Sequence, residues 1–116
     1  MMPIATVVVT VLLAALFGFA SAIKLLGVSQ SLKIRDHLGV SPARWRGIGL
    51  LELAGVIGVL AGLWWAPIGV AAAVGLALLA IGAITFHIRA SDRVTDTAPA
   101  VIGVALAAAT AILQAV

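Results

Sequence analysis

The sequence predicts an all-α, polytopic membrane protein folded as a four-helix transmembrane bundle. Three observations carry this expectation. Hydrophobic residues make up 64% of the chain and charged residues 9%, with a mean hydropathy of +1.28; soluble domains carry about 25% charged residues. The apolar residues form four runs, each long enough to cross a hydrocarbon core of roughly 30 Å as a helix. Finally, Lys and Arg gather in alternate connections between those runs.

At 116 residues the length allows one domain, 1–116. Helices are expected at about 4–26, 46–66, 67–89 and 98–116, with apolar cores Ile4–Leu26, Gly47–Ala66, Pro67–His87 and Ala98–Val116. Runs of this length are too long for strands. The first run contains Ala20-Ser21-Ala22, which resembles a signal-peptide cleavage site. However, no basic segment precedes it and a strongly positive loop follows, so it is read as a retained span.

The second run is the most informative. Glu52 lies near its start, and Trp64-Trp65-Ala66-Pro67 forms a tight hairpin at its end, with Pro67 suited to the first turn of the next helix. Ser41-Pro42 reads as an N-cap followed by a helix-starting proline, so the helix is expected to begin before it enters the bilayer. Ser31–Leu38 is expected to lie along the membrane surface. Ser91–Pro99 reads as a polar loop in which Asp92 and Asp96 balance Arg89 and Arg93.

Orientation follows from the basic residues. Lys33, Arg35, Arg44 and Arg46 lie in the first connection and Arg89 and Arg93 in the third, while the termini and second connection have none. The expected location is the plasma membrane, with both termini outside and loops 27–46 and 89–98 cytoplasmic. Trp45 is then expected at the cytoplasmic interface and Trp64 and Trp65 at the outer one. The net charge of +3 is accounted for by these loops rather than by nucleic acid.

Small residues recur every four positions: Ala14, Gly18, Ala22; Ala54, Gly58, Gly62; Ala71, Gly75; and Gly103, Ala107, Ala111. Such faces allow close helix packing, within one bundle or in a homo-oligomer.

Lys24, Glu52 and His87 fall on three different spans at estimated depths of roughly 6, 9 and 3 Å from the cytoplasmic side, by helical rise. Thr6, Thr10, Phe17, Ser21 and Lys24 share one stripe that should face the bundle interior. Glu52 shares a narrow face with Gly55, Val59 and Gly62, and His87 lies over Ala83, Ala80 and Ala73. Lys24 has two readings: an ion pair with Glu52, or a side chain snorkelling to the headgroups. His87 is either a site residue or an interfacial one. One acid and one or two histidines make a poor metal set, and with no cysteine there is no thiolate chemistry, so no metal is expected.

Phe17–Gly27 (FGFASAIKLLG), Gly49–Gly62 (GLLELAGVIGVLAG), Pro67 and Gly82–Arg89 (GAITFHIR) together resemble the DoxX-like membrane proteins. Ser21, Lys24, Glu52, His87 and Arg89 match that family's polar positions and form the candidate intramembrane site. The family takes its name from a small subunit of a membrane thiosulfate:quinone oxidoreductase. The resemblance therefore implies an accessory subunit of a membrane redox or quinone-linked complex, with a quinone as candidate cofactor, rather than a complete enzyme. The expected partners are the lipid bilayer, further copies of the chain or a membrane redox complex, and no nucleic acid. The alternative is a small carrier that uses Glu52 to bind a cationic or protonatable substrate.

Overall fold

The computed structural model describes residues 2–116 and is all-helical. Five helices follow in order: α1 (Ile4–Leu25), α2 (Ser29–Leu38), α3 (Pro42–Ala61), α4 (Ala66–Arg89) and α5 (Val94–Ala115). Helices α1, α4 and α5 are long and apolar enough to cross a membrane. Helix α3 starts at Pro42 behind the Ser41 cap, as expected, and so includes Arg44 and Arg46 as well as Glu52; it stops at Ala61, with Gly62 at its C-cap, short of the expected end at 66.

The four long helices close a ring. α3 packs on α1 and α4, α5 packs on α4 and α1, and α1 and α4 make almost no direct contact. Both termini lie at the end of the bundle that carries the Trp64–Trp65 hairpin, because the chain crosses its length four times. The core is Leu13, Phe17, Val59, Ala73, Leu76, Ala80 and Ala107. The α1 stripe points inward, with Thr6, Thr10, Leu13, Phe17 and Ser21 all buried.

Two connections differ from the sequence reading. The surface segment is a helix of its own, α2, added to the four long ones at the end opposite the tryptophan hairpin. The expected loop before Pro99 is mostly helix, because α5 begins at Val94. There the Asp96 carboxylate accepts from the Arg93 backbone N–H (3.1 Å) and caps the first turn. Pro99 lies within the second turn of α5, and the loop shrinks to Ala90–Arg93.

The small-residue stripes divide. Gly58, Gly62, Gly103 and Ala107 are buried, but Ala54, Ala71 and Gly75 face outward. On α4 the packed face is Gly69, Ala73, Leu76 and Ala80 instead.

Candidate functional site

Glu52 is 5% exposed, and its position follows from helix spacing. Gly49, three residues earlier on the same face, brings α3 close to α1: a Cβ there would stand 3.1 Å from the Lys24 Cβ. Ser21 Oγ donates to the Gly49 carbonyl (2.9 Å), tying the two helices at that level. Lys24, three residues beyond Ser21, then reaches Glu52, with Nζ 2.9 Å from Oε1. The contact is short but poorly aligned, so Oε1 lacks a well-directed hydrogen bond. It is a Coulombic pair more than a hydrogen-bonded one. Lys24 Nζ also donates to the Ala20 carbonyl (3.4 Å) and lies 4.9 Å from the centroid of the Trp45 ring. A cation over an indole face is attracted by the ring quadrupole.

Trp45 is packed beneath α2 near the start of α3. It is buried, 6% exposed, and its Nε1 donates to Ser31 Oγ on α2 (3.0 Å). Trp45 lies seven residues before Glu52, so it shares the inward face of α3, and α2 covers it.

His87 occupies a second cluster. Helix α4 ends in a Schellman closure: Ser91 N–H bonds to Ile88 O (3.0 Å) and Asp92 N–H to His87 O (3.0 Å), with Ser91 left-handed at φ 56°. This turn folds Asp92 back over the last turn of α4. Its Oδ2 lies 2.6 Å from His87 Nδ1 and its Oδ1 2.5 Å from His37 Nε2 on α2. Hydrogen bonds from His87 and His37 hold the Asp92 carboxyl below its ordinary pKa. With an imidazole on each oxygen, the Asp92 side chain is only 10% exposed. Each imidazole takes its own carboxylate oxygen, and among the described residues no group of three His, Asp or Glu is arranged to hold a metal.

These pairings correct the expected charge balance. Asp96 does pair with Arg93, at 3.4 Å, but Asp92 serves the histidines. Arg89 is exposed and has no ion-pair partner among the described residues, so it stands apart from Ser21, Lys24, Glu52 and His87.

A cavity of about 530 Å³ joins the two clusters. Lys24, Glu52 and His87 are in its wall, among Phe17, Phe19, Phe86 and Trp45. All five helices contribute, with Ile34 and Leu38 supplied by α2 and Pro99 by α5. Phe19 and Leu78 line it from α1 and α4 and are also exposed on the outer surface (69% and 64%). The gap between α1 and α4 is therefore a lateral opening towards lipid.

A model of the DoxX-like family matches residues 8–110. The chain belongs to the DoxX-like family. Comparison with curated proteins and with solved structures returned no match. This DoxX-like protein is an integral membrane protein, as its three long apolar helices require.

Sequence reasoning overlooked a polar knot at the other end of this DoxX-like bundle. Gln114 of α5 is 2% exposed, and its Nε2 donates to Thr10 Oγ1 and to the Val59 carbonyl, both at 3.1 Å. A Cβ at Gly62 or Gly69 would collide with Gln114 Oε1 and with the facing glycine's Cα. Gln114 Oε1 has no N–H or O–H partner; it rests against the two glycine backbones, where only weak Cα–H···O contacts are available. The signal was present: an amide in an apolar run whose stripe also carries Thr110.

Proposed function

We propose that this DoxX-like protein crosses the plasma membrane four times and binds a flat, lipid-soluble ligand, a quinone first among them, as an accessory subunit of a redox complex. The observation that carries this reading is the cavity: about 530 Å³, aromatic-walled, open sideways to lipid, with a fixed ammonium and an imidazole in its wall. Its size falls among ligand pockets of roughly 300–1,000 Å³. Helix α3 crosses with the other three because it packs between α1 and α4 and must share their hydrocarbon layer.

A bound quinone supplies the two-electron chemistry; the residues hold and orient it. Lys24 Nζ, steadied by Glu52 and Trp45, would donate a hydrogen bond to a ligand carbonyl. His87 has Nδ1 committed to Asp92, which leaves Nε2 to hold or give a proton on the cavity side. Ser21 positions the α1–α3 contact rather than touching ligand, and Arg89 lies outside the site. The carrier reading is weaker on the same geometry, because Lys24 already occupies the carboxylate that a cationic substrate would need. Ala71 and Gly75, left exposed on α4, suit a packing face for a second copy or a redox partner.

Trp45 makes the test direct. In a Trp64→Phe/Trp65→Phe background in nanodiscs, a short-chain quinone should quench Trp45 fluorescence saturably, and Ala83→Phe, which fills the cavity, should abolish saturation. Quenching that rises linearly and ignores Ala83→Phe would reduce the effect to partitioning into lipid and end the quinone reading. Topology is tested separately with an impermeant thiol reagent on intact cells. Cysteine at Trp64 should react and cysteine at Ser29 should be protected; the reverse would invert the orientation.

A further inference from the structure

Helix α2 is attached to this molecule differently from the other four. Its only fully buried residue is Ser31, and it packs thinly, on α1. At spacings of three and four, Ser31, Ile34 and Leu38 share one face. Ser31 holds the Trp45 indole, and the two apolar side chains form part of the cavity wall. The ten-residue segment is too short to stay helical in isolation, since isolated helices below about 12–15 residues are marginal. Its helicity therefore depends on what it touches.

Both of its ends are glycines in the left-handed region, Gly27 at φ 66° and Gly39 at φ 73°. A Cβ at either would meet nothing within 4 Å, so space is not what requires glycine there. The backbone conformation is. Val28 N–H to Ile23 O (3.3 Å) and Val40 N–H to Arg35 O (3.1 Å) close the preceding helices at these two points. The segment between them is thus a short rod set off from α1 and α3 by a closed glycine turn on each side.

Across to the end of α4, its far end is fastened by one side chain. His37 Nε2 meets Asp92 Oδ1, while Asp92 Oδ2 is held by His87 at the end of α4. The Schellman turn at Ser91 makes the Asp92–His87 half a fixed base. The His37 side chain is 56% exposed, so water competes for its place.

We propose that α2 is a lid that closes the cavity against the aqueous phase at this end of the bundle, flanked by the glycine turns at Gly27 and Gly39 and latched by His37 on the Asp92 that His87 holds. The cavity then has two separate approaches: a lateral one from lipid between α1 and α4, and an aqueous one under α2 that the latch controls. The inference does not rest on the identity of the ligand, and it stands or falls apart from the quinone reading.

The absence of cysteine from the chain makes the test clean. A single cysteine at Ala83, which lines the cavity, is labelled with a water-soluble maleimide in nanodiscs without any ligand. His37→Ala and Asp92→Asn should each speed labelling on the order of tenfold, the scale set by losing one charge-assisted hydrogen bond. Their combination should be no faster than the Asp92 variant, since both release the same latch. Cysteine at the exposed Thr95 should react at one rate throughout. Unchanged labelling at Ala83 in both latch variants would overturn the lid. So would an equal acceleration at Ala107→Cys in the core, because that assigns the effect to loosening of the whole bundle. His37→Ala removes a half-exposed side chain, so it tests the proposal even if Asp92→Asn does not fold.

Discussion

The same four long helices build two different ends. At the Trp64–Trp65 end, Gly62 and Gly69 bring α3 and α4 into backbone contact, and Gln114 is threaded beside them with its amide bonded to Thr10 and Val59. At the α2 end, α1 and α4 stand apart, charged side chains enter the space, and a cavity of about 530 Å³ results. The two ends differ in what fills the bundle axis. Glycine opposite glycine allows a close backbone contact, whereas Lys24, Glu52 and the phenylalanines line open space. Packing is tightest at the first end, and the cavity lies at the second.

The sharpest way to break this contrast is to place the same methyl group at each end. Gly62→Ala should cost about 3 kcal/mol, the upper part of the range for overpacking, because its Cβ meets the Gly69 backbone, which cannot turn aside. Gly82→Ala, beside the cavity with nothing within 4 Å, should instead stabilise by roughly 0.5–1 kcal/mol through helix propensity. Thermal unfolding in nanodiscs reads both, and similar values at the two positions would dissolve the distinction.

The next effect concerns the charged end alone. Lys24→Met or Glu52→Gln leaves one charge in a poorly solvating space and should cost about 2–3 kcal/mol, less than the roughly 3–5 kcal/mol for a fully buried pair. The double variant should recover much of that. If a double-mutant cycle returns additivity within about 0.5 kcal/mol, Lys24 snorkels independently and the pair does not organise this end.

Acid provides a gentler probe. The folded pKa of Asp92 lies below its ordinary value because His87 and His37 hydrogen-bond the anion. The stability it contributes is therefore fully present above the usual carboxylate pKa of about 3.9 and is lost as pH falls through the lowered value. The melting temperature of the parent should fall more steeply with acid across that window than that of Asp92→Asn. Parallel curves would mean the clasp contributes nothing to folding.

The smallest expected effect is a gain. Ser91 sits in the left-handed region at φ 56°, which costs a residue with a Cβ roughly 1–2 kcal/mol. Ser91→Gly relieves this but loosens the unfolded chain, for a net stabilisation of about 0.5 kcal/mol, readable as a small rise in melting temperature. A loss instead would mean the Ser91 side chain supports the turn.

Much of the charged end was legible because it depends on spacing within helices. Ser21 with Lys24, and Gly49 with Glu52, are each three residues apart, so one α1–α3 contact carries both polar meetings. The Ser41 cap was legible for the same local reason, and its side chain accepts from Arg44 N–H at 3.2 Å. Illegible were the groups joined across connections. Asp92 looked like a loop acid balancing an arginine, and only the reversal at Ser91 sets it between two histidines. For Trp45, periodicity does not reveal that another helix covers it. Arg89 has the right residue type and depth but lies on the outer face of α4, where no partner reaches it.

By itself, then, the sequence determined the helical, membrane-embedded character of the chain and its family, and it offered the Lys24–Glu52 contact as one of two readings, because hydropathy, helical period and short motifs are properties of local order. The tertiary structure alone decided that α3 carries its charged turn under a fifth helix, that Gln114 threads the glycine crossing, and that Lys24, Glu52 and His87 share one cavity. The reason is physical: a cavity is where side chains fail to fill the space between helices, and that space is set by how closely distant glycines let the backbones approach.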